Sequence, residues 1–197
     1  MSVSTTRPVR LLGLPGSLRQ NSYSLAILRG LQAGLGAEAV LEIRDLQLPL
    51  YNQDEDGPNG PEAVHAFRRA IAEADGLVIA TPEYNHGAPG VLKNALDWAS
   101  RPYGQSVLTG KPVLIISSSP AFTGGVRAQA QLNETLLSVQ ALLVPGPQVV
   151  IGNVAAKVQD GRLVDEASLE FALAALRGLA ALCRSASRLE APAAVGS

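Results

Sequence analysis

The feature that most constrains this chain is a set of short apolar runs with no polar face. Residues 9–14, 77–80 and 112–116 are each too short for a stable helix, and hardly a polar side chain interrupts them. Successive side chains of a strand point to opposite faces, so an unbroken apolar run must be buried on both. Between the runs, apolar residues recur at helical spacing: Leu25, Leu28 and Leu31, then Val64, Phe67 and Ile71, then Leu92, Ala95, Leu96 and Ala99. Doubly buried strands alternating with one-sided helices call for a parallel sheet covered by helices on both faces.

Five strands are expected, at residues 9–14, 39–45, 77–80, 112–116 and 147–151. Right-handed crossovers leave few ways to connect them, and the order 2-1-3-4-5 in a three-layer α/β sandwich is the expected one. The helix after the fourth strand is read as carrying Leu132, Leu136, Val139 and Leu143, and the last helix as carrying Leu169, Leu173, Leu176 and Ala180. Residues 48–60 read as a long polar loop, and Asp160-Gly161 as a turn. No repeat or linker divides the chain, so residues 1–197 are expected to form one domain, with flexible tails at 1–7 and 190–197.

Composition limits the function. The chain has 197 residues, 47% apolar and 17% charged, with a formal charge of −1. No basic field invites nucleic acid or an anionic membrane, so any anion site must be local. Cys183 is the only cysteine, which rules out an internal disulfide and a thiolate zinc cluster. It falls in an Ala/Leu-rich helical pattern and is expected to be a buried thiol. His65 and His86 are too few for a metal site. There is no apolar signal segment, which predicts a cytoplasmic protein.

In open α/β sheets, ligands sit beyond the carboxyl ends of the strands. Three polar loops fall there: "PGSLRQNSYS", "TPEYNHGAPG" and "SSSPAFTGG". The first has the chemistry of a phosphate cradle. A helix start offers free N–H groups, Ser17, Asn21, Ser22 and Ser24 add short donors, and Arg19 adds a charge. Ser22 or Asn21 alone would read as a helix cap. The loop has neither GxxxxGK[ST] nor GxGxxG. In the second loop Pro82 fixes the backbone direction, and residues 83–86 can offer main-chain groups to the edge of a flat heterocycle. Tyr84 can cover a ring face, and Asn85 can hold the loop or bond the ring. Glu83 and His86 would be ordinary surface residues elsewhere, and Trp98 reads as a core aromatic.

Together "GSLRQNSYS", "TPEYNHGAPGVLKNALDW" and "GGVRAQ" resemble the three motifs of the NADPH-dependent FMN reductase family, flavodoxin-like enzymes that include quinone, azo and chromate reductases. The resemblance implies FMN phosphate contacts at Ser17, Arg19, Ser22 and Ser24, with Leu18 and Asn21 in the same loop. It implies isoalloxazine contacts at Pro82, Glu83, Tyr84, Asn85 and His86, and further cofactor contacts at Ser118 and Ser119. Ser24 stands where members often have Asn. The implied reaction passes hydride from NADPH or NADH through bound FMN to a quinone, azo compound, chromate or free flavin. It would follow a ping-pong course, with no side chain as nucleophile or proton donor. The rival readings are a one-electron flavodoxin-type carrier and a flavin-binding redox sensor or structural subunit; such carriers are usually strongly acidic, whereas this chain is near neutral. The family also implies a homodimer or homotetramer. Residues 91–100 point the same way, being apolar nearly all round the helix.

Overall fold

The computed structural model describes residues 7–190. Most of the two expected tails lies outside the described residues. Strands β1 (Val9–Pro15), β3 (Gly76–Pro82) and β4 (Pro112–Ser118) form the centre of the sheet and are buried along almost their whole length. β2 (Ala39–Ile43) is the edge strand and alternates between buried and exposed residues. The strands run parallel in the order β2-β1-β3-β4-β5, with β5 at Leu142–Leu143, the flavodoxin-like order expected from the sequence.

Alternation along the central strands feeds two cores. Leu11, Val78 and Ala80 meet α1 (Tyr23–Gly34) and α5 (Glu166–Glu190) on one face. Leu12, Leu14, Leu77 and Ile79 meet α2 (Glu62–Glu73), α3 (Gly90–Ala99) and α4 (Val126–Ser138) on the other. Register then aligns the carboxyl ends. Pro15 lies beside Ala80, and Thr81 and Pro82 lie beside Ser117 and Ser118. The three polar loops therefore leave the sheet side by side.

The fifth sheet position departs from the expected strand. It is split into β5 (Leu142–Leu143), which pairs with the start of β4, and β6 (Val149–Ile151), which pairs with its end. Pro145 and Pro147 fall between them, and a proline has no N–H to give the ladder. Leu143 thus belongs to a strand and not to the preceding helix. α4 stops at Ser138 because Gln140 takes a left-handed conformation (φ 60°). The amides of Gln140 and Ala141 then close back onto Leu137 and Leu136 at 3.0 Å. The turn at Asp160-Gly161 closes a small antiparallel hairpin of β7 (Val158–Gln159) and β8 (Arg162–Leu163).

The apolar second face of α3 is covered by the chain itself. Trp98 Nε1 donates to Pro49 O (2.8 Å), and the Tyr51 ring meets the indole edge-on at 4.9 Å. Asn94 accepts from Tyr51 N and donates to Pro49 O, and Arg68 bonds Trp98 O. The 48–60 loop is therefore a built wall, and α3 does not call for a second chain. At the amino ends of β1 and β3, opposite the loops, Arg7 forks onto Asp75 at 2.7 and 2.8 Å, and Asp75 also accepts from Arg10 N. No helix among the described residues is long and apolar enough to cross a membrane.

Candidate functional site

The loop after β1 is pinned at its start, where Gly16 N donates to Ala80 O (2.7 Å). It then turns through Ser22 N to Arg19 O and enters α1 with Ser22 as N-cap, its Oγ accepting from Leu25 N (3.1 Å). Ser17 Oγ likewise accepts from Arg19 N (3.3 Å). A hydroxyl has one proton and two lone pairs, so both serines spend a lone pair inside the loop and keep their proton for something else. The first amides of α1 add unpaired donors and the positive end of the helix dipole. Arg19 adds a full charge. Every group in this loop is therefore suited to an anion.

Ser24 and Ser118 are 1% exposed, and neither hydroxyl has a hydrogen-bond partner among the described residues. Buried polar atoms are nearly always satisfied, so two orphans at one place point to a missing ligand. Both line a cavity of ≈ 90 Å³, with Ser17, Arg19, Ser22, Pro82, Glu83 and Tyr84. That is room for a phosphate-sized group and too little for a whole dinucleotide.

The loop after β3 is a tight two-residue turn. Tyr84 and Gly87 exchange both backbone hydrogen bonds at 3.0 Å, while Asn85 and His86 take φ of 50° and 64°. Positive φ at both central positions is the type I′ geometry that suits a short hairpin. α4 clamps this turn from the side. Its N-cap, Gly125, has no side chain to cap the helix, and Glu83 Oε2 supplies the acceptor for Arg127 N (2.9 Å) and Ala128 N (3.3 Å). Arg127 Nη1 reaches His86 Nδ1 at 2.6 Å, and Gln131 Oε1 accepts from Ala88 N at 2.7 Å.

Of the residues singled out from sequence, Ser17, Arg19, Ser22, Ser24, Pro82, Glu83, Tyr84 and Ser118 gather around one cavity. Leu18, Asn21, Asn85, His86 and Ser119 are not in its wall. Ser119 turns its Oγ to Ala121 N, and the Glu83 carboxylate is engaged at α4. Tyr23 and Pro120 also line the cavity. Both lie in the loops already singled out, where no residue type marked them.

The sequence model of the NADPH-dependent FMN reductase family matches residues 9–156, most of the chain. The chain belongs to that family. A 2-hydroxy-1,4-benzoquinone reductase from Burkholderia sp. is 40% identical over 158 residues, 79% of this chain and 86% of the relative. An NAD(P)H-dependent FMN reductase from Pseudomonas aeruginosa is 39% identical over 173 residues, 87% of this chain and 93% of the relative. Among solved structures, the flavoenzyme NAD(P)H:(acceptor) oxidoreductase FerB from Paracoccus denitrificans superposes with a TM-score of 0.76 at 33% identity. The match covers 90% of this chain and 98% of FerB. As a member of the NADPH-dependent FMN reductase family the chain is an oxidoreductase that works with FMN and a reduced nicotinamide.

Proposed function

We propose that the chain is an FMN-dependent NAD(P)H:quinone reductase whose flavin phosphate sits in the cavity at the start of α1. The observation that carries this is the pair of buried, partnerless hydroxyls of Ser24 and Ser118 in a wall that also holds Arg19. These residues fit the group: an anion needs donors, and Ser17, Ser22, Ser24, Ser118 and Arg19 all have protons to give. The family's usual Asn at position 24 is not required, because the serine hydroxyl is already in the cavity wall and unsatisfied.

When bound, FMN supplies the two-electron relay between a reduced nicotinamide and a small oxidant. The protein's own work is to hold, orient and control access. Residues 82–86 would hold the ring beside the turn that α4 clamps, with the amides of Asn85 and His86 left out of the turn's own pairing. Oriented amides of this kind favour negative charge near them. Since one crevice serves both substrates, the donor must leave before the oxidant enters, giving ping-pong kinetics. Quinones are the favoured oxidants because curated relatives of high identity are named for them. Azo compounds, chromate and free flavin are the further candidates.

The same reading treats the chain as one FMN-binding domain acting in the cytoplasm. It also takes the enzyme to be a homodimer or homotetramer, supported by the exposed apolar side chains flanking the cavity loops. Leu18 is 53%, Tyr84 49% and Phe122 84% exposed. The deciding experiment is an absorption spectrum of the purified protein before and after anaerobic NADPH, with chromatography of the heat-released flavin. A bleaching flavin band and an FMN peak are expected. A colourless protein that takes up no FMN, or one that releases only FAD, would overturn the reading.

A further inference from the structure

A second cavity, of ≈ 460 Å³, lies between α3, the last turn of α4 and residues 100–109. Its wall follows α3 from Lys93 to Ser100 and includes no residue of the Tyr84–Gly87 turn. Leu96 and Val139 give it an apolar patch, and Tyr103, 91% exposed, stands on its rim.

Arg101 is the unusual group in its wall. Among the described residues its side chain makes no ion pair and no hydrogen bond, and its Nε is buried without a partner. The Tyr51 ring, 5.5 Å from the guanidinium carbon, occupies a face of the fork and leaves the donor edge unspent. Lys93, the other cation in the wall, is already paired with Asp97 at 2.6 Å.

The hydroxyls here have the opposite polarity to those of the cofactor cavity. Ser100, Ser106, Thr109, Thr135 and Ser138 all donate their protons to backbone carbonyls. What they have left is lone pairs, which accept hydrogen bonds and repel an anion. The cavity thus offers one strong site for a carboxylate, several acceptors for hydroxyl protons, and an apolar patch for a ring. We propose that it binds a small hydroxylated aromatic carboxylate, with the carboxylate on Arg101, the ring against Leu96 and Val139, and the ligand hydroxyls donating to the Ser and Thr oxygens. A bare phosphate would satisfy only Arg101. The site is independent of the cofactor reading, since no residue is shared between the two cavities.

The test is titration calorimetry of the FMN-loaded protein with 3,4-dihydroxybenzoate. The wild type is expected to bind, and Arg101→Met, which keeps an apolar chain against Tyr51, should weaken binding at least about tenfold. Benzoate, which has no hydroxyls, should bind more weakly than 3,4-dihydroxybenzoate to the wild type and equally to Thr135→Val and the wild type. Thr135→Val should weaken 3,4-dihydroxybenzoate alone, so the proposal remains testable if Arg101→Met does not fold. No heat at millimolar ligand would overturn the proposal. So would equal affinity in the wild type and both variants, which would place the ligand over the flavin instead.

Discussion

Ser24 and Ser118 are buried polar side chains whose hydroxyls the fold itself does not use. Neither hydroxyl bonds any atom among the described residues, so removing it should cost the apoprotein no internal hydrogen bond. Ser24→Ala and Ser118→Ala should each leave apoprotein melting unchanged or slightly raised and weaken FMN binding by about 1 kcal/mol, roughly fivefold. Arg19→Ala should cost about 1.5–3 kcal/mol of FMN affinity on the scale of a charge-assisted hydrogen bond. Titration of apoprotein with FMN reads both, and unchanged affinities would remove these residues from the site. Asp75 is the contrasting, purely structural case. Burial would raise its pKa, but hydrogen bonds from Arg7 and from Arg10 N, with the charges of Arg7 and Lys111, outweigh it and hold the carboxyl below its ordinary 3.8. A depressed pKa means stability that is full above 3.8 and is lost as pH falls through the lower folded value. Asp75→Asn should therefore melt lower at neutral pH, and the gap to the wild type should close below pH 3.8. A gap that persists in acid would show that the charge is not what Asp75 contributes. At this scale, residue type and position marked the cavity serines and Arg19 in the sequence. They could not mark Tyr23 and Pro120, whose places depend on how loops fold, or the engagement of Glu83, which needs α4 beside it.

At the level of elements, α4 matters for what its N-terminus lacks. Gly125 offers no capping side chain, and Glu83 reaches across from the loop after β3 to do that work, so helix and loop hold each other. Glu83→Gln should destabilise the protein by about 1 kcal/mol, since a charged acceptor at a helix start is lost. The same change should loosen the Tyr84–Gly87 turn, seen as faster amide exchange there. An unaltered melting curve would mean the cap is dispensable. On the other face of the sheet, a Cβ at Gly76 would meet Cys183 Sγ at 2.7 Å and Pro112 O at 3.2 Å. Gly76→Ala should cost about 1–3 kcal/mol, and Cys183→Ala in the same chain should recover part of that. Additive costs in the double mutant would exclude this contact. The Cys183 thiol itself is pushed up to about 11, by burial first and by Asp75 second, and should resist alkylation in the native protein. Strand and helix identities were legible because burial on two faces or one leaves its period in the sequence. The end of α4 was not, because Val139 and Leu143 continue its spacing by coincidence and only the reversal at Gln140 breaks it. The split fifth strand was half legible, as Pro147 bounded β6 while the two residues of β5 are too few to leave a pattern.

For the molecule as a whole, the order of the strands was readable because parallel crossovers admit few alternatives. The assembly was not, since the apolar surface of α3 that suggested a partner is spent on the chain's own 48–60 loop. If one crevice serves both substrates, as proposed, double-reciprocal plots of NADPH oxidation at several quinone concentrations should be parallel. High quinone should compete with NADPH. Intersecting lines would require both substrates to bind at once and a second nucleotide site to be found. The Arg7–Asp75 fork also has a practical side. It fastens the chain just ahead of β1, and the seven residues of that strand put about 23 Å between this anchor and the cofactor loop. A linker attached ahead of Arg7 would leave the protein from the end of the sheet opposite its mouth. Enzyme fixed to an electrode or a bead by such a linker should present the proposed flavin face outward to the solution, whereas random attachment through surface lysines, Lys93 on α3 among them, would bury that face in a fraction of the molecules.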